Sequence, residues 1–302
     1  MKAVVLYEYG DPSQLRYEDA EQPPVGDNEV LVRMHATSVN PVDYKIRSGA
    51  AKGRIPVELP AVLGRDLSGE VVQAGRSVVG FAKGMRVMGL ANGTYAEFTT
   101  AKADVLAPIP EALSFEQAAA LPLVTLTGAQ LIERAVKPQP GQTVLVTGAL
   151  GGVGRSAVHV ARKHGCRVLA GVRSAEKAEA AVLGADQVIA LDDETETVHL
   201  HDLDAVADTV GGPTASRLLK ALRAGGVFGS VLGEPQGAKD VDVQVHAFMA
   251  QPDASRLYEL ADEVARGEFT IPIGKTMRLS EIEEAHRLAE AHKVKGKIIL
   301  VM

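Results

Sequence analysis

The sequence predicts an α/β protein: a doubly wound, mostly parallel sheet joined to a second, β-rich domain. Three observations carry that prediction. Residues 142–173 run strand, glycine turn, helix, strand within about thirty residues. Strand-like and helix-like segments keep alternating from there to residue 245, the succession of an open sheet with helices on both faces. Residues 1–121 instead hold short apolar runs separated by Gly, Pro, Asn and Asp.

In that first part, residues 4–7, 29–36, 69–74, 86–88 and 95–99 read as strands. Within 29–36 the even positions Val30, Val32, Met34 and Ala36 are all apolar, the period of a half-buried strand. His35 falls on its mixed face and is expected near the surface. Ser114 and Gln117 form a capping box ahead of an alanine-rich helix. Pro122 and residues 125–136 make a second helix, and Pro138-Gln139-Pro140-Gly141 leads into the next domain.

Residues 143–147 are rich in β-branched side chains, as a buried parallel strand requires. Apolar residues at 153, 157, 160 and 161 line one helix face, stopped by Gly165, and 168–172 is the next strand. A helix over 175–183 stops at Gly184, followed by strands at 187–191 and 204–210. A helix over 214–223, a strand over 226–232 and a sixth strand at 241–245 complete the sheet. Beyond it lie an amphipathic helix over 253–266, an extended segment at 271–277 and a helix over 280–292 begun by Ser280 and Glu283. A strand at 297–301 is last. One helix and two strands cannot bury their own apolar faces, so this tail should dock on the first domain. The expected division is 1–121 with 265–302 as one domain and 122–264 as the other.

The glycine turn has a chemical reason. In Gly148-Ala149-Leu150-Gly151-Gly152-Val153-Gly154 the second and third glycines of a dinucleotide fingerprint are present, while Ala149 fills the first position. A pyrophosphate lies against backbone N–H groups at a helix N-terminus, and side chains there would hold it off. Ala149, Gly151, Gly152, Val153 and Gly154 are therefore candidate cofactor residues. At the end of the second strand an NAD site usually carries Asp or Glu. Here Ala170-Gly171-Val172-Arg173-Ser174 has no carboxylate before Glu176. Arg173, with Ser174 and Lys177, suits the 2′-phosphate of NADPH, the cofactor expected.

Composition excludes other classes. Of 302 residues, 46% are hydrophobic and 23% charged, which is globular rather than disordered. A net charge of −6 argues against nucleic acid as a partner. The apolar run at 118–131 is broken by Pro122 and Gly128 and is too short to span a membrane. Met1 to Leu6 is too short for a secretory leader, and Cys166 is the sole cysteine, so neither disulfides nor a cysteine zinc cluster is expected. A cytoplasmic location is the expectation.

Several segments together resemble one family. They are residues 38–49 (Ser38-Val39-Asn40-Pro41-Val42-Asp43-Tyr44-Lys45 and onward), 63–69, 93–98, 118–122, 147–154, Asp208-Thr209-Val210-Gly211-Gly212, and Lys295-Gly296-Lys297. In this order they are similar to the medium-chain dehydrogenase/reductase superfamily, and within it to zinc-independent quinone oxidoreductases and enone reductases. The resemblance implies a Rossmann-type nucleotide domain and a GroES-like catalytic domain. It also implies a homodimer, formed by pairing of the strand near 241–245. It adds Thr125, Val210, Leu232 and Lys297 to the cofactor set. Zinc-dependent relatives place cysteine where Asn40 stands, histidine where Arg65 stands and cysteine near Leu121, so no metal is expected here.

Without a Lewis acid, negative charge developing on substrate oxygen must be met by hydrogen-bond donors. A quinone or α,β-unsaturated carbonyl delocalises that charge and is the expected substrate. The resemblance puts Asn40, Tyr44 and Lys45 in the loop facing the nicotinamide as candidate catalytic donors. Asn40 before Pro41 is equally suited to cap a turn, and only one of the adjacent Tyr44 and Lys45 can face the site if the segment is regular. Arg65 and Asp66 read as a structural pair. The alternatives are an enoyl-thioester or carbonyl reductase of the same fold, or a protein that binds NADPH without turnover.

Overall fold

The computed structural model describes residues 1–302, which divide into two compact units. One comprises Met1–Leu123 with Pro252–Met302, the other Val124–Gln251. The helix Ala254–Ala265, expected to close the nucleotide domain, belongs to the first unit, where it packs on the strand Leu106–Pro108. No helix is long and apolar enough to cross a membrane.

In the first unit the strand Glu29–Val39 is the spine of a seven-stranded sheet. It pairs antiparallel with Asp66–Ala74, with Phe98–Lys102 along its first half and with Lys297–Val301 along its last. The tail therefore docks as expected, and Ile273–Arg278 adds a parallel strand outside Lys297–Val301. The alternation expected of Glu29–Val39 holds on one side, with Val30, Val32 and Met34 buried, but Leu31 is buried as well. This strand is covered on both faces, not half-buried: the helix Phe115–Ala119 lies over it, and the Phe115 ring stacks on His35 at 4.0 Å between centroids. That helix starts on the expected box, Ser114 N–H donating to Gln117 Oε1 at 2.8 Å and Gln117 N–H to Ser114 Oγ at 3.2 Å. In the tail the box is displaced two residues from the expected one. Glu281 accepts from the Arg278 N–H at 2.8 Å, and the helix Ile282–Glu290 follows a short 3₁₀ turn.

The second unit is a six-stranded parallel sheet. Its order is Gln187–Ala190, Arg167–Val172, Thr143–Thr147, Leu203–Asp208, Leu222–Ser230 and Val243–Ala247. In chain order that is 3-2-1-4-5-6, the doubly wound arrangement, with its switch point between the first and fourth strands. Val144, Leu145 and Val146 of the central strand are fully buried. Each such side chain contributes about 1.5–3 kcal/mol relative to exposure to water. The sixth strand begins two residues later than expected, in register with Gly226–Ser230. The helix expected over 125–136 is α-helical through Gln130 and then widens to a π-helix, Leu131–Val136, that ends at left-handed Lys137. It lies against Gly229, where a Cβ would come within 2.8 Å of Val136.

Candidate active site

The first strand of the parallel sheet ends in the glycine turn. Gly148 is left-handed, φ 58°, and Gly151 caps the helix Gly152–Lys163, whose first turn carries no acidic residue. A Cβ on Gly154 would lie 2.2 Å from the Gly148 carbonyl oxygen, so the helix rests directly on the turn. At Gly151 the added Cβ would meet only that oxygen, at 3.3 Å; packing does not force this glycine, and approach of a ligand to the backbone explains it better. The first N–H groups of the helix and the positive end of its dipole suit a pyrophosphate. Gly151, Gly152 and Val153 would hold it, with Ala149 buried behind them.

Sequence reasoning missed Arg155. Its guanidinium is 7% exposed and donates from Nε to the Leu150 carbonyl at 3.0 Å, bracing the turn from behind. The available signal was a cation in the first turn of a helix, where the dipole disfavours one. Thr125 is also buried close by, its carbonyl accepting from Ser156 Oγ at 2.8 Å.

Arg173, Ser174 and Lys177 stand at the end of the second strand as expected, and each meets a carboxylate. Arg173 is ion-paired with Glu176. Ser174 donates through both N–H and Oγ to Asp192 Oδ1, at 2.7 and 2.8 Å. Lys177 Nζ is 2.5 Å from Glu196, whose other oxygen accepts the Ala190 N–H at 2.8 Å. The Ser174 hydroxyl, then its N–H, hold Asp192 below the usual carboxylate range. Asp192 and Glu196 come from beyond the third strand, so no scan of the second strand's end could find them.

At the switch point Asp208 ties three strand ends together. Its Oδ1 accepts from Thr147 Oγ1 at 2.9 Å and from the N–H groups of Val210 and Gly211, and its Oδ2 accepts from Ser230 Oγ at 2.9 Å. Val210 and Leu232 follow these strand ends as exposed apolar residues, 48% and 39%, at the edge where open α/β sheets bind ligands.

In the first unit Asn40 caps the helix Pro41–Arg47, but not with its side chain. Its N–H donates to Asp43 Oδ2 at 2.8 Å, while its amide is held at both ends in a buried cluster. Nδ2 donates to Asp66 Oδ2 at 2.7 Å, and Oδ1 accepts from Lys297 Nζ at 2.6 Å. Ser38 also donates to Asp66, as does the Leu123 N–H, at 2.7 Å. The expected Arg65–Asp66 pairing is corrected: Asp66 pairs with buried Lys297, and Arg65 turns to Asn92 at 2.6 Å. Lys297, expected among the cofactor residues, lies in this cluster because the last strand pairs with Glu29–Val39.

Of the remaining donors, Tyr44 is half-buried and Lys45 exposed. Burial, and then the charge of Glu290, push the Tyr44 phenol up. Beneath them Asp43 Oδ2 also accepts from buried Tyr95 at 3.0 Å, and Tyr95 lies 3.4 Å from His286. Burial raises Asp43 to about 7, against the pull of the Asn40 N–H. Burial, helped by Arg47, lowers His286 to about 3.

Asn40, Arg65 and Leu121 do not make a zinc site. The amide oxygen of Asn40 is taken by an ammonium, the guanidinium of Arg65 offers no lone pair, and Leu121 is a buried hydrocarbon.

Residues 26–111 match the family described as alcohol dehydrogenase GroES-like domain, and residues 183–300 that described as zinc-binding dehydrogenase. A quinone oxidoreductase of Rattus norvegicus is 30% identical over all of this chain and 98% of its own length. An acryloyl-coenzyme A reductase of Metallosphaera sedula is 30% identical, with 99% of each chain covered. A mycobacterial protein solved in complex with NADPH superposes with a TM-score of 0.86 at 30% identity, over 100% of both chains.

Proposed function

Because this chain belongs to the medium-chain dehydrogenase/reductase superfamily, in its quinone oxidoreductase branch, we propose that it reduces a quinone or an α,β-unsaturated carbonyl with NADPH and without zinc. It is a nicotinamide-dependent oxidoreductase by family; the choice of NADPH and of substrate is our inference. The observation that carries it is the glycine turn, where Gly154 lets the helix rest on Gly148 and leaves the helix N-terminus open to a pyrophosphate. Arg173, Ser174 and Lys177 favour a 2′-phosphate at the adenosine end.

When bound, the reduced nicotinamide supplies a hydride. This chain's part is to meet the charge that then develops on the substrate oxygen. Tyr44 or Lys45 donates a hydrogen bond to that oxygen, and a proton from water completes the two-electron reduction, on oxygen for a quinone and on the carbon next to the carbonyl for an enone. The Asn40–Asp66–Lys297 cluster anchors the start of their helix. Conjugation lowers the demand on the donor, because the charge spreads away from the carbon that accepts hydride. The acryloyl-coenzyme A reductase relative favours a second reading, reduction of an enoyl thioester by the same chemistry.

The test is NADPH oxidation with a naphthoquinone, an aliphatic enone, a crotonyl thioester and a simple aldehyde, before and after dialysis against a strong chelator. Saturable turnover of the first two, unchanged by chelation, is expected. Turnover of the thioester alone would move the assignment to the second reading. Binding of NADPH with no turnover would replace both with a non-catalytic role, and activity restored only by zinc would refute the metal-free mechanism.

A further inference from the structure

Resting on the NADPH assignment above, we propose that Asp192 limits the preference for NADPH by holding, from within the protein, the donors that the 2′-phosphate would otherwise take. The second and third strands of the parallel sheet run side by side, with Val172 opposite Ala190. Ser174 and Asp192 each stand two residues beyond that pair, so the register itself brings them together. Asp192 Oδ1 then accepts both hydrogen bonds that Ser174 can donate there, 2.7 Å from N and 2.8 Å from Oγ. These are the backbone N–H and the hydroxyl at the strand end that a ribose phosphate would use.

The neighbouring carboxylates are committed differently. Glu176 sits three residues from Arg173 and spans its side chain and N–H, and Glu196 is anchored by the Ala190 N–H while it pairs with Lys177. Asp192 is exposed, and its hydrogen bonds to Ser174 are the ones a phosphate would replace one for one. A 2′-phosphate carries about −1.5 to −2 charge at neutral pH, so it enters only by displacing the like-charged carboxylate. The 2′-hydroxyl of NADH makes no such demand and can donate its hydrogen to the same carboxylate. The charge at residue 192 therefore penalises one cofactor and spares the other.

The experiment is a binding titration of the protein with NADPH, NADH, adenosine 2′,5′-bisphosphate and 5′-AMP, for the unmodified chain, Asp192→Asn, Asp192→Ala and Arg173→Ala. Both Asp192 variants are expected to bind NADPH and the bisphosphate about tenfold more tightly, with NADH and 5′-AMP changed less than twofold. Unchanged or weaker NADPH binding in both variants overturns the proposal, as does an equal gain for both cofactors. Arg173→Ala separates the two levels. If it weakens NADPH while the Asp192 variants do nothing, only the role of Asp192 falls. If the unmodified chain binds both cofactors equally and no variant shifts that ratio, the NADPH assignment falls with it.

Discussion

Asp43 and His286 are two buried titratable groups on either side of the Tyr95 hydroxyl, and burial drives them in opposite directions. Asp43, raised to about 7, keeps its proton in the folded chain over a range where the unfolded chain has lost it. Its contribution is therefore fully present below about pH 4 and is lost as pH rises through 7. His286, lowered to about 3, stays neutral where the unfolded chain would take up a proton, so its contribution is present above about pH 6.5 and is lost as pH falls towards 3. Over pH 4–6.5 the two oppose each other. Asp43→Asn keeps an oxygen acceptor for Asn40 and Tyr95 but no longer titrates. Denaturant midpoints from pH 4 to 8 are expected to fall on acidification more steeply for this variant than for the unmodified chain; parallel curves would show that Asp43 does not titrate in this range. A second expectation concerns the donors. Tyr44→Phe or Lys45→Met should, at one of the two positions, lower kcat on the order of a hundredfold while leaving the NADPH Kd within a few-fold. Steady-state kinetics beside equilibrium binding checks it, and near-full rates in both variants would put the donor elsewhere.

At the scale of elements, the glycine turn and the helix it introduces form one unit. A methyl group at residue 154 has no room, since it would meet Gly148 O at 2.2 Å and Ala149 Cα at 2.7 Å, both backbone atoms. Gly154→Ala is expected to push the helix off the turn, at about 1–3 kcal/mol of stability, and to weaken cofactor binding at least tenfold. Gly151→Ala meets a single atom at 3.3 Å and should cost little stability. Its effect on cofactor affinity should be the larger one, since the methyl group would stand where the pyrophosphate approaches. Thermal midpoints and NADPH dissociation constants on the same samples distinguish the two. Equal losses of stability would show that the close approach at residue 154 is relieved by relaxation. The turn was legible in the sequence because it is local: seven consecutive residues, one strand and one helix carry it. The π-helical end, Leu131–Val136, was not: no residue in it marks the change from α-helix, and the strand it packs on, Leu222–Ser230, is distant in sequence.

For the whole molecule, Val243–Ala247 is the outer strand of the six-stranded sheet, paired on one side with Leu222–Ser230. An unpaired edge is a template for a second copy of itself, and two-fold pairing of such strands is a low-cost route to a dimer. We expect a homodimer built on this strand. Light scattering at micromolar concentration should return twice the 31.8 kDa chain mass. A mass of one chain would leave the edge to be protected in some other way.

What the sequence determined by itself was whatever depends on near neighbours: hydrophobic period, glycine spacing, caps and turn residues. From these came the doubly wound sheet, the glycine turn, the docking of the tail on the first unit and the cationic residues at Arg173 and Lys177; the strand order came from the structure. Only the tertiary structure decided which partners those residues have. Sheet register carries Asp192 to Ser174, antiparallel pairing of the last strand carries Lys297 to Asn40, and burial separates the proton affinities of Asp43 and His286. The contacts concerned span 18 positions of sequence for Asp192 and Ser174, 257 for Lys297 and Asn40, and 52 and 191 from Tyr95 to Asp43 and to His286. Their strength depends on distance and exclusion of water, which no local pattern of residue types encodes.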